Sequence, residues 1–147
     1  MREEIGFAGQ KPPAAPSRRD TNFQDAECRL RKDKPLEPRL KAELWVKAHI
    51  RKCAAWNVPV MVARRGDATA GSVLIKINRL GSGCMVLSPA TNFEDGARMW
   101  LKGTGPDWVE EESADAYITR QINNDPDLWV LEIEDREGRA FLDEKIE

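Results

Sequence analysis

The sequence predicts an α+β fold: a mainly antiparallel sheet of four or five strands, packed by two helices. Three observations lead there. Short β-branched or aromatic runs recur between turn residues, at 58–63, 72–80, 84–89 and 128–135. Two other stretches, 43–56 and 110–122, repeat their apolar residues every three or four positions, as a helix with one buried face does. The 147 residues suffice for one domain with one core.

Residues 1–37 form a compositional zone of their own. Pro12, Pro13, Pro16 and Pro35 punctuate it, and its apolar residues are sparse and aperiodic. Such a segment buries too little surface to offset its ordering entropy, so a disordered or loosely attached extension is expected, with the α+β domain at 38–147. Its basic cluster RLRKDK is diluted by Asp20, Asp25, Glu27 and Asp33.

The first helix is predicted at 43–56, with 40–43 extended before it. Basic residues in its last turns suit the helix dipole, and Asn57 with Pro59 is a stop signal. The runs at 58–63 and 72–80 flank a connection containing Gly66, Asp67 and Gly71. They read as a β-hairpin, or as adjacent antiparallel strands with a long loop. Gly81 and Gly83 turn the chain into a strand at 84–89, and 98–102 makes a fourth around Trp100. After the GTGP break comes the second helix, 110–122. Its start is acidic, and Ala114, Tyr117, Ile118 and Ile122 form its buried stripe. NNDPD ends it, and the strand 128–135 turns at 136–138 into AFLDE. No internal repeat is present.

Three segments in this order, LWVKAHIRKCAA, RRGDATAGSVLIKINRL and DPDLWVLEIEDREGRAFLDE, resemble an uncharacterised bacterial domain-of-unknown-function family of small cytosolic proteins. The resemblance covers roughly residues 40–144 and leaves 1–37 outside. It implies a compact α+β domain with no established activity, and it assigns no catalytic residue.

Several function classes lack their residues. No apolar run approaches the roughly 20 residues that span a bilayer, and the N-terminus has no apolar signal region. A cytoplasmic location without a membrane partner is therefore expected. Cys28, Cys53 and Cys84 are far apart, and His49 is the single histidine, so neither a zinc site nor another metal or cofactor is expected. His49 and Cys53 stand four apart and would share a helix face, but no third group orients them. Phosphate-loop, dinucleotide, nucleophile-elbow and HExxH patterns are missing.

The remaining candidates are charged. Net charge is −2, yet residues 38–106 carry about seven more bases than acids and 107–147 about ten more acids than bases. Arg64 and Arg65 lie on a loop where Gly66 suits a positive φ and Asp67 suits backbone hydrogen bonding; the two arginines suit a phosphate or carboxylate. Alternation puts Val73, Ile75, Ile77 and Arg79 on one strand face, and Leu74, Lys76, Asn78 and Leu80 on the other. A lysine within an apolar strand calls for a solvated face or a carboxylate on the neighbouring strand; buried with a lowered pKa it would be catalytic. Trp100 reads as core, or else as a stacking platform beside Arg98 and Lys102. Glu132 and Glu134 share a strand face about 7 Å apart, a spacing that could flank a cation.

The leading expectation is a non-enzymatic binding or accessory module. Its basic 38–106 section would meet an anionic partner, an acidic protein surface or a nucleic acid. A small enzyme would instead need Arg64, Arg65, Lys76, Glu132 and Glu134 to converge in one cleft. A third class is a homodimeric scaffold joined through a sheet edge or the tryptophans.

Overall fold

The structure, a computed structural model, describes residues 40–147; the N-terminal extension and Cys28 lie outside the described residues. Helix α1 (Ala42–Ala55) is followed by strands β1 (Val60–Arg64), β2 (Val73–Asn78), β3 (Cys84–Thr91) and β4 (Arg98–Lys102). Helix α2 (Glu111–Asn124), β5 (Trp129–Glu134) and the two-residue β6 (Lys145–Ile146) complete the order. Two helices thus pack on a sheet, as expected for an α+β fold.

The sheet itself differs from the expectation. Among the described residues it has six strands in the order β1-β5-β2-β3-β4-β6, and it is mixed. β1–β5, β2–β3 and β3–β4 are antiparallel, whereas β2–β5 and β4–β6 are parallel. The reason is α2. Its 14 residues carry the chain back along the sheet after β4, so β5 starts from the same end as β2 and runs beside it. β5 therefore separates β1 from β2, and the expected hairpin is a split one. β6 is too short to leave a periodic signal.

The β1–β2 loop bridges the strand inserted beneath it. The Asp67 amide donates to the Asp127 carbonyl, the Trp129 indole N–H donates to the Asp67 carbonyl at 2.7 Å, and the Trp129 amide donates to Ser72. The crossing is close. A Cβ on Gly66 would stand 2.0 Å from the Asp127 carbonyl oxygen, and one on Gly71 2.5 Å from the same atom. Gly66 does not have the positive φ that its turn-like setting suggests; it is there for proximity. Asp67 does hydrogen-bond local backbone, accepting from the amides of Thr69 and Ala70.

The same loop caps α1. Lys41 supplies no side-chain cap, and the loop carbonyls of Thr69 and Ala68 accept the Ala42 and Glu43 amides. At the other end Asn57, at φ 56, closes a Schellman motif: its amide donates to Ala54, and the Val58 amide to Cys53.

Each sheet face has its own core. Toward α1 lie Val73, Ile75, Ile77, Met85, Leu87, Trp100, Trp129, Leu131 and Ile133, packed against Ala42, Val46 and Cys53. Toward α2 lie Leu74, Cys84, Val86 and Val130, packed against Ala114 and Ile118. β2 is covered on both faces, so its lysine cannot reach bulk water from the middle of the strand.

Gly66→Ala should lower unfolding free energy by about 2 kcal/mol or more, because backbone must move to admit one methyl group. Urea denaturation with an unchanged slope would show it; a wild-type midpoint would refute the close crossing.

Candidate functional site

Lys76 points from β2 toward α2 and is 4% exposed. Its Nζ donates to Asp115 Oδ1 at 2.7 Å and to Glu111 Oε1 at 2.9 Å, and lies 3.5 Å from Glu132 Oε1. Glu111 and Asp115 are four apart on the first turns of α2, so both carboxylates face the sheet from one side of the helix. Glu132 stands directly beside Lys76 in the parallel β2–β5 register. Asn78, on the same face, donates to Glu132 at 3.1 Å and to Glu111 at 3.3 Å. Burial alone would push the ammonium pKa down. The hydrogen bonds it donates to Asp115 and Glu111, with the Glu132 charge, outweigh that, and the Lys76 pKa is raised above the ordinary lysine value. The surrounding carboxylates thus favour the charged form of Lys76.

The other predicted residues scatter. Arg64 donates to the Pro126 carbonyl at 2.9 Å, while its Nε is buried without a partner. Arg65 remains exposed, 5.8 Å over the Trp129 ring and 3.5 Å from Glu43. Trp129 belongs to the α1-side core, so Arg65 and the Lys76 cluster lie on opposite faces of the sheet. Arg79 stacks 4.8 Å over Trp108 and donates to the Arg136 carbonyl. Trp100 is 6% exposed and packs on Trp45 at 5.7 Å, which makes it core and removes it as a stacking platform. Glu134 shares the face of Glu132 and pairs in register with Asn78. Lys76 and Glu132 meet; Arg64, Arg65, Lys76, Glu132 and Glu134 do not form one cleft.

α1 supplies what isolated candidate residues did not reveal. Its inner face carries Val46, His49 and Cys53. The His49 ring is 5% exposed and stacks on Trp45 at 4.8 Å and 8° between planes, and its Nε2 has no partner. Burial first, and then the Lys52 charge, lowers its pKa; the Ala140 backbone and the charges of Glu144 and Asp143 act the other way without offsetting them. Burial pushes the Cys53 thiol pKa up, so Cys53 is not an activated thiolate. The helix's outer face exposes Lys41, Leu44, Lys47, Ala48, Arg51, Ala54 and Ala55, a stripe at three- and four-residue spacing. Lys47 and Arg65 both reach Glu43, the sole acid of the helix, while Lys41 and Arg51 carry no ion pair among the described residues. α2, on the opposite sheet face, carries Glu111, Glu112 and Asp115 against Arg120. The chain's uneven charge thus separates into a basic helix on one face and an acidic helix on the other. That arrangement needed the topology as well as the composition.

Among the described residues no helix is long and apolar enough to cross a membrane, and no group of three His, Cys, Asp or Glu side chains is arranged to hold a metal ion.

Residues 40–143 match the profile of a family described as "Protein of unknown function (DUF1491)". The crystal structure of a DUF1491 family protein from Caulobacter crescentus is 42% identical, with a TM-score of 0.67, covering 74% of this chain and 100% of that one. An NMR structure of a DUF1491 family protein from the same organism gives 42% identity and a TM-score of 0.64, over 74% and 96% of the two chains. The solution structure of protein Atu0922 from A. tumefaciens is 27% identical, with a TM-score of 0.60, over 72% and 94%. No curated protein matches the chain.

Two outcomes follow from the buried polar groups. Lys76→Met should cost about 3 kcal/mol, since Glu132 is left half-buried beside an apolar side chain. Adding Glu132→Leu should restore about 1 kcal/mol or more, measured as a double-mutant cycle by denaturation. His49 has a folded pKa below its unfolded value near 6.5. Its contribution to stability is therefore complete above pH 6.5 and falls as pH drops through 6.5 toward the folded value. His49→Phe should flatten that part of the stability–pH curve.

Proposed function

As the chain belongs to the DUF1491 family, whose description assigns no activity, we propose from its geometry that it is a non-enzymatic binding or accessory module in the cytoplasm. It engages an acidic protein surface through the outer face of α1. The observation that carries this reading is the stripe of Lys41, Lys47 and Arg51 around the exposed Leu44, with Arg65 beside it. A basic rim around an apolar residue suits a protein interface, where charge steers encounter and fixes orientation while apolar contact supplies affinity.

Two further observations favour this reading over catalysis. The lysine that a small enzyme would need as its base is held charged by carboxylates. The arginines that would hold a substrate lie elsewhere, Arg64 against the Pro126 carbonyl and Arg65 over Trp129. A protein partner is favoured over nucleic acid because the basic stripe is short and the opposite face is acidic. A phosphate backbone gains most from a longer, purer basic surface.

Affinity capture with the wild type and with Lys47→Glu/Arg51→Glu tests the reading. The double reversal should leave the fold unchanged, since both side chains are exposed, and should release an acidic protein that the wild type retains. The wild-type complex should weaken steeply as salt rises. An identical set of captured proteins for both baits would overturn the proposal, and loss of the complex on nuclease treatment would move it to nucleic acid.

A further inference from the structure

β1 forms one edge of the sheet, and its residues are apolar from Val60 through Ala63, before Arg64. An unbroken apolar run belongs to strands that are covered on both faces. Here Val60 packs on the α1-side core, but Met61 is 54% and Val62 39% exposed, and Ala63 is exposed beside them. The other edge of the sheet is built differently. β6 has two residues, one of them a lysine, and so offers little to an incoming strand.

The ladder with β5 decides which groups of β1 face outward. The Pro59 carbonyl accepts the Glu134 amide, and Met61 stands opposite Glu132 two positions on. By the alternation of an antiparallel ladder, Met61 turns its amide and carbonyl to β5, while Val60 and Val62 turn theirs away from the sheet. Among the described residues nothing pairs with these outward groups. Their spacing is self-complementary about a two-fold axis at Met61. Val60 then faces Val62 of a second copy, Val62 faces Val60 of that copy, and each pair exchanges two hydrogen bonds. The bulge between Val62 and Arg64 falls beyond both pairs. Charge selects the same antiparallel sense. Arg64 and Arg65 stand at one end of β1 and Glu134 beside the other, so the two-fold brings the basic end of each copy toward the acidic end of its mate.

We propose that β1 is the interface of a symmetric dimer, in which the β1 edges of two copies join antiparallel and the two six-stranded sheets run on as one. The interface is isologous and closes on itself. Met61 meets its own counterpart at a non-hydrogen-bonded position, where side chains across an antiparallel pair come closest. The interface uses no residue of the α1 stripe, and either proposal can fail without the other.

Sedimentation equilibrium of the full chain, with cross-linking, tests this. The wild type should sediment as a dimer that dissociates on dilution. Val62→Pro removes an outward N–H, a change that an edge strand otherwise tolerates. Symmetry uses that N–H twice, so dimerisation should weaken by about thirtyfold or more. For register, Met61→Cys and Val62→Cys are compared in a Cys28→Ser background, where the remaining Cys53 and Cys84 are buried. Position 61 lies about 4.5 Å from its counterpart between Cα atoms, within disulfide reach, and should cross-link on mild oxidation. Position 62 is out of step with its counterpart, beyond the roughly 7 Å limit, and should not. A wild-type monomer at millimolar concentration would overturn the proposal and leave this edge to an extended segment of another protein. An undiminished dimer in Val62→Pro, or cross-linking at 62 as fast as at 61, would overturn it as well. Should Val62→Pro not fold, the two cysteine variants still decide it.

Discussion

The buried ammonium of Lys76 is the constraint on which the arrangement of the other elements depends. It sits in the central strand of a sheet covered on both faces, where an unpaired charge would cost several kcal/mol. The carboxylates that compensate it come from two other elements, Glu111 and Asp115 from α2 and Glu132 from β5. Shifting α2 by one turn would take one of its two carboxylates away from the ammonium, and shifting β5 by one residue would turn Glu132 to the other face of the sheet. The cluster therefore favours the observed placement of α2 and register of β5 over these alternatives. Replacing the whole cluster by apolar residues would cost little in principle, so its contribution lies in position more than in stability.

Much of this was legible in the sequence because it is local. Both helices announce themselves by three- and four-residue periodicity, and Asn57 does end α1, as the C′ residue of a Schellman motif. Alternation sorts Trp129, Leu131 and Ile133 to one face of β5 and Glu132 to the other. It also identifies Lys76 as the strand residue in need of a carboxylate on its neighbour. Pairing order was not legible. β1 and β2 are joined by a loop with hairpin chemistry, and nothing local says that β5, more than fifty residues later, lies between them. Only Gly66 and Gly71 bear the mark of that crossing, and glycine in a loop reads equally well as a turn. Asp115 was missed as a partner of Lys76 for a similar reason: on an acidic helix start it looks like one carboxylate among several. The unpartnered His49 nitrogen likewise depends on where residues 140–144 return, which no periodicity reports.

The topology also gives the uneven charge a spatial meaning. Bases early in the chain and acids late in it could have neutralised one another across every surface. Placing α1 and α2 on opposite faces of the sheet keeps the basic helix and the acidic helix apart instead, despite the small net charge. The same division sets the roles of the charged residues. Charges enclosed between α2 and the sheet pair with one another, while Lys41 and Arg51 on the outer face of α1 carry no ion pair among the described residues.

That division rests on Lys76 being a permanently charged structural group, and its protonation can be followed directly. Side-chain NMR of the Lys76 Cε and Nζ positions across alkaline pH would compare it with the ordinary lysine value near 10.5. The account predicts a Lys76 signal that stays in its charged position as pH passes that value. A Lys76 midpoint below the ordinary lysine value would mean a deprotonable amine beside Glu132, and it would return this cluster to the status of a catalytic candidate.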